Sequence, residues 1–596
     1  MLVCHLFASA VGWNRNGLRT QSLGPRSEMG RDIPTSEHRL FLAAANPTTG
    51  IQQAQSTWQM LAIWQMLPAA EKESMLNRRH AGHPSLVTHH VCPWARPKSG
   101  VDVMTARALS FVPPRFAQSA HPKAVYRPGL WMQILYASSF LILQLAAGLL
   151  SAWQFPAAYV LGAEGCVLLA LTSTALGHRQ DKISVYIPVV LAAGAIFTVT
   201  ILSTAHTFMI ALQSVGAQAL NALIYFFFVV ASISILVWDS RRRFGNLAAK
   251  NLIQTFYIAS VVYCILQLGL LYWGYVNPIG ESLPQINGEA VFAKFLGFRN
   301  SRAVLPVSTS LQAGAAIPLA TCICAAAKLA RDMKSYVNVF LFFLGLYIVF
   351  LLDAQQFILS IGLTCALTYL IRSERIYGLI AALAPWMYVT YASIGQKLFP
   401  FLINFTSSRG RSAYGIFTGR EYIWNRFWDY FQDANLEQLI FGNGTFGQGI
   451  SRLSSSYAVM FAGFSPDARY LATLHNSYLQ IIVDNGLIGL TCFTALIGFT
   501  AYRARVLSRQ QGPAAGAWRA ISMLVTAFAF TGASEVAFTI YMKEALIVTV
   551  LVSITVAVCG GDVDPRANGR NLARRMQARS GRHRADLRQP RPTPLR

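Results

Sequence analysis

Charged side chains are scarce in this sequence: Asp, Glu, Lys and Arg make up 13% of 596 residues, where a soluble domain carries about a quarter. The deficit falls almost wholly after residue 129, which excludes an ordinary water-soluble globule for that part. Other absences narrow the chemistry. No Gly-rich phosphate loop separates the apolar runs, which argues against direct nucleotide drive. The polar segments hold no paired-aspartate metal motif and no Ser-centred nucleophile elbow, so neither a cofactor nor a metal is expected. Nine cysteines are scattered and none lies within 397–474, so no disulfide framework braces that stretch. Cys322 and Cys324 sit inside an apolar run, where packing is their expected role rather than metal binding. No internal repeat is visible, unlike the repeated halves common in transporters.

What is present is apolar length. Hydrophobic residues make up 54% of the chain, and a bilayer-spanning helix needs about 20 predominantly apolar residues. About twelve segments fit: 130–153, 156–176, 183–203, 217–238, 252–275, 303–327, 337–352, 356–371, 378–395, 485–502, 520–538 and 545–559. The short polar stretches 123–127, 178–182, 241–250, 328–334, 372–375 and 503–509, with the Arg-rich tail 566–596, fall on one side by alternation. All are basic, which assigns that side to the cytoplasm. The expected fold is an all-α polytopic membrane protein of about 12 transmembrane helices, with one large outer loop between helices 9 and 10. Residues 129–396 would hold helices 1–9, 397–474 the loop, 475–560 helices 10–12, and 561–596 a cytoplasmic tail. The net charge of +25 follows from the same distribution and points to membrane lipids, not nucleic acid.

Residues 1–128 differ from the rest. They are polar, contain Pro and His, and show no periodicity, so a disordered extension or an over-extended start is expected, with Met104 as the alternative start. Residues 1–13 lack a basic leading region, so a cleaved signal peptide is not expected. His80, His83, His89, His90 and Cys92 match no zinc spacing.

A loop as long as 397–474 is uncommon unless functional. His475 stands where it re-enters the membrane. An imidazole there is partly shielded yet wetted, a setting that suits a general base. The alternative is a histidine capping the helix start, bonded by Asn476 or Ser477. Arg420 is the second candidate, since a guanidinium fork binds phosphate oxygens bidentately at any relevant pH. Residues 422–431 read as an amphipathic helix with Ile423, Phe427 and Tyr430 on one face. Trp424 and Trp428 are expected to be interfacial anchors, with sugar stacking as the alternative. Arg299 and Arg302, before another span, could reach the same anionic site or simply snorkel.

At these residues the chain resembles the O-antigen ligase and polysaccharide polymerase superfamily of bacterial membrane glycosyltransferases. His475-Asn476, nine residues, then Gly486-Leu487-Ile488-Gly489 is similar to that family's histidine motif. Gly419-Arg420 with Ile423-Trp424, and the glycine-rich turn 439–444 bearing Gly442 and Gly444, are similar to two further family segments. The motifs cover roughly residues 290–500. The resemblance implies a multi-pass protein of the bacterial inner membrane with both termini cytoplasmic and the loop periplasmic. It also implies an undecaprenyl-diphosphate-linked oligosaccharide donor, its diphosphate held by arginines, and inversion at the sugar without a metal. His475 would activate the hydroxyl of a glycan acceptor, either lipid A core (ligase) or growing polysaccharide (polymerase), in O-antigen or exopolysaccharide synthesis alongside assembly proteins. One departure stands out: many members carry a Ser-Arg pair where this chain has Asp353-Ala354-Gln355-Gln356, so Arg299 or Arg302 would have to substitute. A transporter, or a non-catalytic subunit of a polysaccharide export system, is the alternative function.

Overall fold

In hydrocarbon every backbone N–H and C=O needs a partner, and a helix supplies them internally. The apolar runs accordingly fold as helices. The structure, a computed structural model, describes residues 129–561 apart from 152, 154, 176–183, 212–213, 279–302, 311–312, 391–419, 462–471 and 511. The extension 1–128, the tail beyond 561, and Arg299, Arg302 and Gly419 lie outside the described residues. Everything described belongs to one compact unit, Gln118–Arg596.

Sixteen α-helices follow in chain order among the described residues. The first nine are α1 (Leu130–Ser151), α2 (Ala157–Ala175), α3 (Ile187–Ile210), α4 (Ser214–Phe244), α5 (Ala248–Tyr272), α6 (Ala316–Leu329), α7 (Tyr336–Leu351), α8 (Gln355–Leu370) and α9 (Glu374–Thr390). Four short ones follow: α10 (Arg420–Asp433), α11 (Leu436–Phe441), α12 (Gly447–Ile450) and α13 (Leu453–Tyr457). The last three are α14 (Ser477–Ser508), α15 (Ala515–Gly532) and α16 (Lys543–Cys559). No strand occurs among the described residues, so the fold class is all-α. Each of the twelve apolar segments overlaps one helix. By length and composition four stretches can cross a membrane: Leu130–Ser151, Ile187–Ile210, Val215–Tyr272 and Ser477–Ser508.

The outward faces are apolar. Leu169, Leu191, Leu202, Ile265 and Phe340 stand largely exposed on α2, α3, α5 and α7. Apolar surface on that scale is unfavourable against water and natural against lipid tails. The chain is an integral membrane protein.

Three segments depart from the sequence reading, each for a physical reason. The sixth apolar run begins near 303, yet α6 starts only at Ala316. Pro306 lacks an N–H, and residues 303–310 are non-helical, with a turn at 306–307. Their backbone is satisfied by side chains instead: Val307 N donates to Gln267 Oε1 at 3.0 Å, and Thr309 N to Glu544 Oε1 at 2.8 Å. Non-helical backbone is tolerated at such depth only when buried and paired in this way. Helix α14 begins at Ser477, well ahead of 485, and bends at Gly486 (φ 66°, ψ −170°). Helix α15 stops at Gly532, so 533–538, expected as the end of a span, instead opens a run of turns that continues to 542. Cys322 and Cys324 are buried in α6, with Cys322 Sγ donating to Phe342 O at 3.3 Å, which fits a packing role.

Candidate active site

Helix α10 shows why the loop docks where it does. Ile423, Trp424 and Phe427 are buried on one face, while Arg426 lies outside, paired with Asp429 at 3.2 Å. Helix α11 starts from a capping box, Asn435 accepting from Gln438 N while Gln438 bonds back to the Asn435 N–H. It then ends at Gly442, which has φ 79°.

That glycine begins a tight knot against the bend in α14. Asn443 N donates to Val483 O at 2.7 Å and Gly444 N to Asp484 O at 3.0 Å. Such approach leaves no room for a Cβ: one on Gly442 would meet Asp484 O at 2.5 Å, and one on Gly486 would meet Ile440 O at 2.1 Å. Gly444 sits against Thr207 of α3, and Gly489 one turn beyond the bend. Asp484 fastens the knot. Its Oδ1 accepts from Gly447 N and Gln480 Nε2, both at 2.9 Å, and its Oδ2 from Tyr541 OH at 2.6 Å. Burial, with Asp484 alongside, holds the Tyr541 phenol well above its usual range, so it stays a donor. Gly486→Ala is expected to lose several kcal/mol, because a φ/ψ pair open essentially to glycine alone costs about 1–3 kcal/mol before any clash. Thermal melting of the purified protein checks this against Gly362→Ala, whose Cβ would meet nothing within 4 Å. Equal melting points for the two variants would refute the knot.

The knot sets the start of α14, and there His475 adopts φ 51°. Histidine visits this left-handed region more readily than most residues, yet the conformation still has to be imposed. Both neighbours are tied. Leu474 O accepts from Trp424 Nε1 at 2.9 Å, and Leu474 N donates to Gln480 Oε1 at 3.1 Å. Asn476 caps α14, accepting from Tyr478 N and Leu479 N, and its Nδ2 donates to Ala533 O at 2.8 Å. The cap of α14 is therefore Asn476, not His475. Imposed strain of this kind clusters at functional sites.

The turns after α15 bring the remaining groups together. Glu535, 1% exposed, accepts at Oε1 from Arg420 Nη2 and from Gln356 Nε2 at 2.7 Å. Its Oε2 lies 3.6 Å from His475 Nδ1, on a side chain 27% exposed. Arg420 is held a second time, Nη1 donating to Ser534 O at 2.8 Å. Ser477 binds the same segment: its N and Oγ both donate to Glu535 O, at 3.0 and 2.7 Å. The two leading candidates from sequence, His475 and Arg420, thus meet at one carboxylate.

Some expectations change here. Trp424 is 1% exposed, so it is neither an interfacial anchor nor a stacking platform: it holds Leu474, the residue before His475. Gln356, noticed only as a departure from the family pattern, is part of the cluster. Glu535 was the residue missed. A carboxylate inside an apolar run is a functional signal in a membrane protein, and that signal was available. Beside the knot, a cavity of about 150 Å³ opens between α3, α4, α14 and α16. Phe197, Phe226, Phe493 and Leu496 line it along with Asp484 and Asn485, and it includes none of His475, Arg420 or Glu535.

Residues 340–494 match the family model described as O-antigen ligase. That span takes in Arg420, the glycine-rich turn, His475 and Gly486–Gly489, the stretches on which the resemblance rested, and bears it out. No curated protein matches the chain.

Proposed function

We propose that this membrane protein, with an O-antigen ligase domain over residues 340–494, is a metal-independent, inverting glycosyltransferase of the bacterial inner membrane. Its donor is an undecaprenyl-diphosphate-linked oligosaccharide, transferred to lipid A core or to a growing polysaccharide. In this reading α1–α9 and α14–α16 make twelve crossings, both termini are cytoplasmic, and the segment holding α10–α13 is the periplasmic loop. Residues 1–128 and 561–596 are an extension and a tail outside the catalytic part.

The chemistry needs three things. An acceptor hydroxyl must lose its proton, the anomeric carbon must be attacked opposite the diphosphate, and the leaving group's charge must be stabilised. His475 takes the proton as the acceptor oxygen forms its bond to the anomeric carbon. The bond from that carbon to the phosphate oxygen breaks, and its electron pair leaves with the polyprenyl diphosphate. Arg420 stabilises the departing charge, helped by Arg299 or Arg302 in place of the family's missing arginine. Gly419, Trp424, Asn476, Gly442, Gly444, Gly486 and Gly489 hold the loop and helix in register. The apolar cavity beside the knot suits a stretch of the carrier's isoprenoid chain.

One observation carries the reading: His475 and Arg420, remote in sequence, lie against the same buried carboxylate. The test is mass analysis of polyprenyl-linked glycans in a host lacking the gene, complemented with wild type or His475→Ala at equal membrane levels. Wild type is expected to restore long-chain product while the variant leaves lipid-linked glycan accumulating. Single units in the accumulated pool mean a polymerase, and long chains still on carrier lipid mean a ligase. Full complementation by the variant would sink the reading.

A further inference from the structure

We propose that Glu535 is a positioning residue that exchanges partners during the reaction, pairing with Arg420 before the donor binds and with His475 afterwards. The inference rests on the transferase reading above. Its basis is the unequal use of the two carboxylate oxygens. Oε1 carries Arg420 and Gln356, while Oε2 stands 3.6 Å from His475 Nδ1, just beyond hydrogen-bond reach. The carboxylate is 1% exposed and Arg420 15%, so of the two the guanidinium is the more accessible to an arriving anion.

A diphosphate carries more charge than one carboxylate and accepts a guanidinium fork at least as well. Two anions also compete for one cation in a buried setting. Donor binding therefore draws Arg420 off Oε1 and leaves Glu535 needing a counter-charge. The imidazole already stands against its other oxygen. A small closure lets Nδ1–H donate to Oε2, which fixes the tautomer, leaves Nε2 as the base and stabilises the imidazolium formed when Nε2 takes the acceptor's proton. The base is thus armed only once the diphosphate is seated, which protects the activated glycan from being wasted on water.

The exchange has an unusual signature, because Glu535 opposes donor binding while supporting catalysis. In full-length protein in lipid nanodiscs, Glu535→Gln is expected to bind undecaprenyl diphosphate roughly tenfold more tightly, the worth of one charge-assisted bond no longer competed for. With lipid-linked glycan isolated from the deletion host, its kcat should fall about 10²-fold and the donor KM should fall with it. Glu535→Asp keeps the charge but shortens its reach, so tighter probe binding with a smaller loss of kcat is expected. This second variant carries the test alone if Glu535→Gln does not accumulate. Weaker probe binding in parallel with the loss of kcat makes Glu535 a structural brace and overturns the exchange, as does an unchanged kcat. Wild-type protein that transfers nothing from the isolated donor would sink the transferase reading itself, whereas wild-type transfer with those variant outcomes sinks only the exchange.

Discussion

Replacing His475 with alanine is expected to slow transfer from the lipid-linked donor by about 10²–10⁴-fold, the usual contribution of a positioned base, while folded protein in the membrane changes little. The second half of that expectation comes from the tethers. Leu474 is held by Trp424 and Gln480, and Asn476 by Ala533 and by its cap on α14, none of them through the imidazole. Alanine is less at ease than histidine at φ 51°, so the loss should be read together with His475→Asn. Asparagine tolerates the left-handed region and removes the imidazole all the same. Initial rates at saturating donor, normalised to melting temperature, make the measurement. If either variant keeps a rate within threefold of wild type, His475 is a positional residue and the base lies elsewhere.

Arg420→Ala should cause two losses that a second substitution separates. One is catalytic, on the order of 10²–10³-fold, for removing a donor aimed at developing charge. The other is structural, about 3–5 kcal/mol, for leaving a buried carboxylate without its cation, because Glu535 is 1% exposed. Adding Glu535→Gln removes that orphaned charge. The pair Arg420→Ala with Glu535→Gln is therefore expected to recover most of the melting temperature and none of the rate. Contacting residues are where such non-additivity belongs. Recovery of the rate as well would mean that Arg420 serves only to neutralise Glu535, and that the diphosphate is held by other groups.

Much of this arrangement could be read from the residues. The twelve apolar runs locate helices, since length and hydropathy depend on the run itself. The amphipathic stretch around Ile423 and Phe427 became α10, because a buried stripe at helical spacing is a local signal. His475 and Arg420 stood out for the same kind of reason, as ionisable groups beside apolar segments. What was illegible depends on the partner. Trp424 reads as an anchor until the chain folds and its indole N–H finds Leu474 O. The irregular turns of 533–538 look like continuing span, since Ala533, Val536, Ala537 and Phe538 are as apolar as any helix. Their backbone leaves the helix because Asn476 and Ser477 supply the donors it needs. Gln356 reads as a gap in a motif, and only tertiary structure shows it donating to Glu535.

The hydrogen bonds from Asn476 and Ser477 to Ala533 O and Glu535 O have a consequence for how damage to this protein would be scored. These carbonyls belong to a chain end that has left its helix, and in an apolar slab they have nowhere else to turn. The first residues of one span are thus the solvent for the last residues of another. Neither end is complete until both are in the membrane together, so the catalytic corner is also the seam by which two late segments of the nascent chain are joined. An inactivating change at Asn476 or Ser477 would then be a failure of assembly that resembles a failure of chemistry, and only a count of correctly assembled molecules tells the two apart.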